Sequence, residues 1–249
     1  MPGAVARGHI SRGSIEMTKT ERRVVITGGA GSLGVAVARA FLADGARVAL
    51  LDRVDEAKSP AKQLGGTPFF IGNVDLADLQ SAQRAMDEAA RKLGGGIDTL
   101  VNIAGGFRWE TVADGKLDTW DQLYGLNLRT AVCACKAVLT HLPGEGSRII
   151  NVGAAAAAKA GTGMGAYAAS KAGVAKLTEA LAEELKDKGI NVNAVLPSII
   201  DTSVNRADMP NADFTRWVEP AALADVIVFL ASPAARAVTG ASLLVAGRV

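Results

Sequence analysis

Arg23-Val-Val-Ile-Thr-Gly-Gly-Ala-Gly-Ser-Leu-Gly34 is the stretch on which the fold turns. Its first five residues form a short β-branched run, which predicts a buried strand ending at Thr27. Glycines follow at once, and residues 33–44 (LGVAVARAFLAD) carry a helical pattern closed by Gly45. Strand, glycine turn, helix is the context that makes such glycines informative. They permit a tight turn and a close approach of backbone to a pyrophosphate, and the helix start offers free N–H groups and a positive dipole end. Gly29-x-Gly31-x-x-Gly34 fits the dinucleotide-binding pattern. The competing reading, an ordinary glycine-rich turn, is disfavoured by the flanking strand and helix.

The alternation continues outward. Residues 46–51 read as a second strand, with Asp52 at its end, about 20 residues past the turn, where a carboxylate accepts hydrogen bonds from ribose hydroxyls. A carboxylate there repels a 2′-phosphate, so NAD(H) is favoured over NADP(H), although Arg53 next to it favours the phosphate. Further strands are expected at 68–71, 97–102, 148–152, 190–196 and 242–245, and helices at 79–93, 117–142 and 166–188. This predicts a single-domain, Rossmann-like α/β fold, a doubly wound parallel sheet of about seven strands with helices on both faces. Ligands of such sheets lie beyond the carboxyl ends of the strands, where Gly28, Asp52, Asn102 and Ala154 all fall. Residues 197–213 read as the longest irregular stretch and as a mobile lid.

Tyr167-Ala-Ala-Ser-Lys171 puts a phenol and an ammonium four residues apart on one helix face. A nearby cation lowers a tyrosine pKa from about 10, which makes the phenol a usable proton donor or acceptor. Taken alone, the pair reads more readily as a solvated helix face.

Composition narrows the function classes. The 249 residues are 49% hydrophobic and 21% charged, enough apolar material for a large core, and the net charge of +2 is interspersed. That argues against nucleic acid as a partner, and no apolar run reaches the ~20 residues of a membrane span. Residues 1–20 are expected to be a disordered extension or tag, and 21–249 the domain. Cys133 and Cys135 read as buried thiols, which suggests a reducing, cytoplasmic setting. His9 and His141 are the only histidines, there is no Gly-x-Ser-x-Gly elbow, and no metal-ligand constellation is found. Hydrolase chemistry is therefore disfavoured.

From about Arg23 onward the chain resembles the short-chain dehydrogenase/reductase family. The resemblance rests on Thr27-Gly28-x-x-x-Ser32-x-Gly34, Asp75-Leu76, Asn102-Ile-Ala-Gly105, Asn127, Tyr167-x-x-x-Lys171 and Pro197-Ser-Ile-Ile-Asp-Thr202, in that order. It implies that Tyr167 exchanges a proton with a small-molecule substrate. Lys171 would hold the nicotinamide ribose and depress the tyrosine pKa, and Asn127 would hold a relay water. Gly28, Ser32, Leu33, Gly34, Asp52, Arg53, Asp75, Leu76, Asn102, Ala104, Gly105, Pro197, Ile200 and Thr202 would line the cofactor. Homo-oligomers, dimers or tetramers built on the two long helices, are also implied.

One position departs sharply. Thirteen residues before the tyrosine the family carries a serine; here stands Ala154, preceded by Gly153. Losing one such hydrogen-bond donor typically costs about 2.7–4 kcal/mol. Thr162 and Ser170 are the candidate replacements. A dihydropteridine reductase-like branch also has alanine there, and residues 194–217 resemble its substrate loop. The substrate is thus expected to be a small carbonyl or alcohol, or a quinonoid, dihydropterin-like ring; Phe107, Trp109 and Trp217 could wall such a ring. The alternative is an NAD(H)-binding sensor or scaffold without turnover.

Overall fold

Seven strands, all parallel, carry the architecture: β1 Arg23–Thr27, β2 Arg47–Leu51, β3 Phe69–Ile71, β4 Thr99–Asn102, β5 Arg148–Val152, β6 Asn191–Pro197 and β7 Ser242–Val245. The computed structural model describes residues 21–60, 64 and 66–249; the expectation for residues 1–20 lies outside them. The strand order is β3-β2-β1-β4-β5-β6-β7. Thr27 pairs with Leu51 on one side and Asn102 on the other, and Asn102 with Asn151. The order reverses between β1 and β4, so a crevice opens at their carboxyl ends.

The central strands are apolar without interruption because both faces are covered. In β1, Val25 points to one face and Val24 and Ile26 to the other. On the first face pack helices α2 (Leu79–Lys92), α4 (Thr130–Val138) and α5 (Gly165–Leu185), through residues such as Met86, Ala134 and Leu181. On the second face lie α1 (Ser32–Ala43) and a helix at Pro220–Ala231, through Val37, Phe41, Leu223 and Ile227. That last helix was not read from the sequence. Its run PAALADVIVFLA is apolar nearly all round, so no amphipathic period marks it, although the proline at its first turn is a usable start signal.

Two expectations are corrected. The long helix at 117–142 is three pieces: α3 (Leu117–Leu123), a π-helical stretch Tyr124–Arg129, and α4. The π stretch carries Asn127, as such widened turns often do at functional sites. The stretch 197–213, expected to be irregular, contains a short helix α6 (Ser203–Asp208), capped when the Thr202 hydroxyl accepts from Asn205 N–H; the Pro220–Ala231 helix is therefore α7. Cys133 and Cys135 are buried free thiols. His141 is not a free surface residue, since its ring nitrogen lies 2.8 Å from Asp87. No helix among the described residues is long and apolar enough to cross a membrane.

Candidate active site at the carboxyl ends of the strands

The glycine turn is built by exclusion. Gly28 has φ +67°, and a Cβ there would lie 2.9 Å from Ala104 N. A Cβ on Gly34 would collide with the Gly28 carbonyl, and one on Gly29 would sit 2.6 Å from Leu50 Cβ. Only glycine lets α1, the turn and the β4 exit approach this closely. Gly31 caps α1, and helical bonding begins with Val35 N–H to Gly31 O at 2.9 Å. The N–H groups of Ser32, Leu33 and Gly34 therefore face outward, unpaired within the helix. Leu33 has its side chain in the core, so only its backbone is available. The Thr27 hydroxyl accepts from Ile103 N–H and Ala104 N–H, at 3.1 and 3.2 Å, and ties β1 to the β4 exit.

Asp52 closes one end of this cradle. One carboxylate oxygen accepts from Ala30 N–H in the turn (2.9 Å), the other from Val54 N–H (3.2 Å). Arg53 is exposed. Asp75 accepts from Ala77 N–H in its own turn, and Leu76 is buried, so the latter can face a cofactor only through its backbone. Asn102 is turned inward: its amide donates to Asn151 Oδ1 at 2.9 Å. It supports the site from beneath rather than lining it.

The reactive end gathers on α5. Small residues let α5 sit close: a Cβ on Gly173 would strike Leu128. Lys171 is 5% exposed, and its ammonium donates to Val152 O at 2.9 Å, at the end of β5. Asn127 grips Gly106 from both sides, accepting from its N–H (2.9 Å) and donating to its carbonyl (3.0 Å), and also donates to Ser170 Oγ (3.0 Å). A Cβ on Gly105 would lie 2.5 Å from Asn127 Oδ1 and 3.4 Å from Lys171 Nζ, so Gly105, Asn127 and Lys171 converge. Ser170 in turn donates to Tyr167 O at 2.7 Å. Its hydroxyl is thus engaged on its own helix.

Burial, not the neighbouring charge, dominates the titration here. It pushes the Lys171 ammonium down to about 8 and the Tyr167 phenol up to about 12. The expectation that the lysine lowers the tyrosine pKa is therefore corrected for the protein chain by itself. The lysine is held on a backbone carbonyl, and the phenol sits in a poorly hydrated place.

Above the phenol stands Phe107, edge-on to the Tyr167 ring at 4.9 Å between centroids. Trp109 is largely exposed, donates its indole N–H to Thr162 O at 2.8 Å and lies across Gly163. Trp120 packs against Gly165 at the start of α5, a contact not foreseen from the sequence. Trp217, by contrast, is buried against Phe214 and forms no part of an open wall. Ala154 is buried, in extended conformation, just past β5, and a side chain on Gly153 would run into Leu196. Pro197 ends β6, Ile200 bridges Val218, and Thr202 caps α6. Arg206 is paired with Asp201 at 2.6 Å, so the lid region is tied internally.

The chain is similar to known proteins in sequence and fold. A family model described as short chain dehydrogenase matches residues 22–213. The chain belongs to that family. D-threitol dehydrogenase of Mycolicibacterium smegmatis is 35% identical over 236 residues, 90% of each chain. Meso-2,3-butanediol dehydrogenase of Serratia marcescens is 33% identical, over 90% of this chain and 92% of the relative. Among solved structures, a short chain dehydrogenase from Burkholderia cenocepacia in complex with NADP superposes with a TM-score of 0.83 at 35% identity, over 91% of this chain and 96% of the other. The protein is accordingly an NAD(P)-dependent short-chain dehydrogenase/reductase with a Rossmann-like sheet, as the glycine turn and the resemblance led one to expect.

Proposed function

We propose that the protein is an NADH-dependent reductase of a flat, conjugated electrophile, a quinonoid dihydropterin or a ring like it, with Tyr167 as the proton donor. The observation that carries this is the absence of a hydroxyl at Ala154, with Ser170 engaged by Asn127 and the Tyr167 carbonyl. A simple ketone develops an isolated alkoxide that needs two donors; one preorganised donor is worth about 2.7–4 kcal/mol. A quinonoid ring regains conjugation on reduction and spreads charge over ring nitrogens, so one phenol suffices. Phe107 against the phenol and exposed Trp109 offer aromatic surface for such a ring.

The cofactor fits the residues present: Gly31 caps α1 and helical bonding begins only at Val35 N–H, so the first N–H groups after the glycine turn have no partner within the helix. The backbone N–H groups of Ser32, Leu33 and Gly34 would meet the pyrophosphate. Asp52 would accept from the adenosine ribose and repel a 2′-phosphate, which favours NADH over NADPH, while exposed Arg53 beside it works in the other direction. Asp75, Leu76, Ala104, Gly105, Pro197, Ile200 and Thr202 would complete the lining, with Asn102 beneath. Bound nicotinamide would supply the hydride. Lys171, one of whose hydrogens goes to Val152 O, keeps two donors for the nicotinamide ribose and sets a positive charge near the phenol. Asn127 positions Gly106 and Ser170 through its side chain, which leaves only its backbone for a relay water.

A second reading, a small alcohol or carbonyl substrate, is favoured by what the relatives act on, threitol and butanediol by their names. Oligomerisation is proposed on the face bearing Leu117, Tyr124 and Val132, apolar side chains that stand exposed. A monomer at every concentration by light scattering would exclude it.

The test is NADH oxidation against a quinonoid dihydropterin and a panel of simple ketones, with Tyr167→Phe as control. Pterin turnover without ketone turnover, lost in Tyr167→Phe, supports the proposal. Ketone turnover alone favours the second reading. NADH binding with no turnover, unaffected by Tyr167→Phe, leaves a sensor.

A further inference from the structure

At the opposite edge of the sheet, where the strands begin, lies a cleft of about 590 Å³. It is lined by Arg22, just before β1, and Arg148, the first residue of β5, with Lys186, Arg236 and Glu145 at its rim. Its size is that of a small-molecule site.

The two arginines are unusual. Arg148 is 5% exposed, yet its Nε has no hydrogen-bond partner; Nη1 reaches only the carbonyl of its neighbour Ser147. Arg22 Nη1 and the Ser147 hydroxyl are buried and equally without a partner. Buried donors are nearly always satisfied, because an orphan costs its full desolvation. Two of these orphans belong to arginines that line the cleft, and they call for an acceptor. The protein does not supply it. Asp98, close enough to feel the Arg22 charge, is taken by three N–H donors of Arg23. Lys186 is paired with Glu183, and Glu145 is the one carboxylate in the lining. Burial, and then the Arg22 charge, weigh against the charged form of Arg148.

We propose that this cleft binds a small organic phosphate ester, its phosphate group accepting from the guanidiniums of Arg148 and Arg22. Guanidinium forks match phosphate oxygens better than any other side chain does. The volume far exceeds that of a bare phosphate, which leaves room for the organic part beside Asn191 and Thr239. Residues 1–20 are a poor occupant by charge, since Arg7, Arg12 and Lys19 outweigh Glu16. The cleft is separated from the candidate active site by the length of the strands, and its function does not depend on the reading of that site.

Calorimetric titration of the full chain with glucose 6-phosphate and, separately, inorganic phosphate tests this at matched ionic strength. Saturable binding is expected, tighter for the ester, and weakened about tenfold or more, equivalent to about 1.4 kcal/mol or more, by either Arg148→Met or Arg22→Gln. Without phosphate, Arg148→Met should melt no lower than the parent, because it removes an unpaired buried charge. If Arg148→Met does not fold, Arg22→Gln alone decides. Equal affinity in parent and variants would place the phosphate in the glycine turn and overturn the proposal. So would no binding at millimolar concentrations, or a clear gain in affinity in Glu16→Gln, which would make the tail the occupant.

Discussion

Replacing Lys171 with methionine tests whether the ammonium is held in the interior against its preference for water. Its pKa falls from 10.5 to about 8 because burial disfavours the charge. At 1.36 kcal/mol per unit, the charged form costs the folded state about 3 kcal/mol below pH 8. The sign follows from proton counting. Between pH 8 and 10.5 the unfolded chain holds more protons at this residue than the folded one, so stability rises with pH through that window. From pH 7 to 9.5 the gain is about 2 kcal/mol. Lys171→Met abolishes this term and leaves Val152 O without its donor, at about 1–3 kcal/mol. Urea unfolding of both proteins at fixed concentration should therefore give near-equal stabilities at pH 7. At pH 9.5 the parent should be ahead by about 2 kcal/mol more than at pH 7. A difference between parent and variant that does not change with pH would refute a desolvated ammonium. The same titration limits catalysis: with the Tyr167 phenol protonated up to about 12, kcat/KM for reduction should fall above pH 8 as the Lys171 charge is lost.

Three further substitutions probe the rest of the site. Asp52→Asn removes the carboxylate charge but keeps an acceptor for Ala30 N–H; the NADPH-to-NADH ratio of kcat/KM should rise about 10–100-fold, and an unmoved ratio would remove Asp52 from cofactor choice. Gly34→Ala drives a methyl onto the Gly28 carbonyl; a loss of about 1–3 kcal/mol in stability together with lost NADH fluorescence enhancement is expected, and normal binding would argue against the cradle. Ala154→Ser places a hydroxyl in an extended, buried position past β5; ketone reduction should rise by up to about 10²–10³-fold while pterin reduction changes little. No gain with ketones would show that position 154 does not limit this chemistry.

What could be read from residues alone was what is set locally. The β-branched run at 23–27, the glycines after it and Asp52 at the next strand end specify their conformations within a few residues, and the structure places them as read. The π-helical turn at Tyr124–Arg129 was not legible: it carries Asn127, whose grip on Gly106 joins residues distant in sequence. The Tyr167 pKa failed for a related reason. Spacing puts a cation on the same helix face, but only the packed fold decides that the ammonium turns to Val152 and that water is excluded from the phenol. Trp217 and Phe107 look alike in the sequence, and only tertiary packing buries the first and leaves the second over the tyrosine. Arg22 stands just before β1 and Arg148 begins β5, where charge is unremarkable until the neighbours prove to lack an acceptor.

The placement of α5 explains why polar residues occupy the middle of an otherwise apolar sheet. Its sheet-facing side includes Ala166, Ser170, Val174, Thr178 and Ala182, small or β-branched residues that allow close approach. Apolar contact is non-directional and would tolerate a slide of the helix along the strands. A chain of directed bonds removes that freedom: Asn102 donates to Asn151 Oδ1, Asn151 to Thr178 Oγ1, and Thr178 to Val174 O, each at 2.9 Å. Lys171 adds a bond to the end of β5, and Ser170 one to Asn127. Buried networks of this kind hold geometry rather than maximise stability. The phenol of Tyr167 lies one turn beyond these anchors on the same helix. Its distance from the glycine turn is therefore set by the pairing of Thr27 with Asn102 and of Asn102 with Asn151, two steps across the sheet. A proton donor must meet the reacting atom to within a fraction of an ångström, and for the proposed donor, Tyr167, that precision comes from a helix keyed by hydrogen bonds to β5, two strands across from the β1 end that leads into the glycine turn.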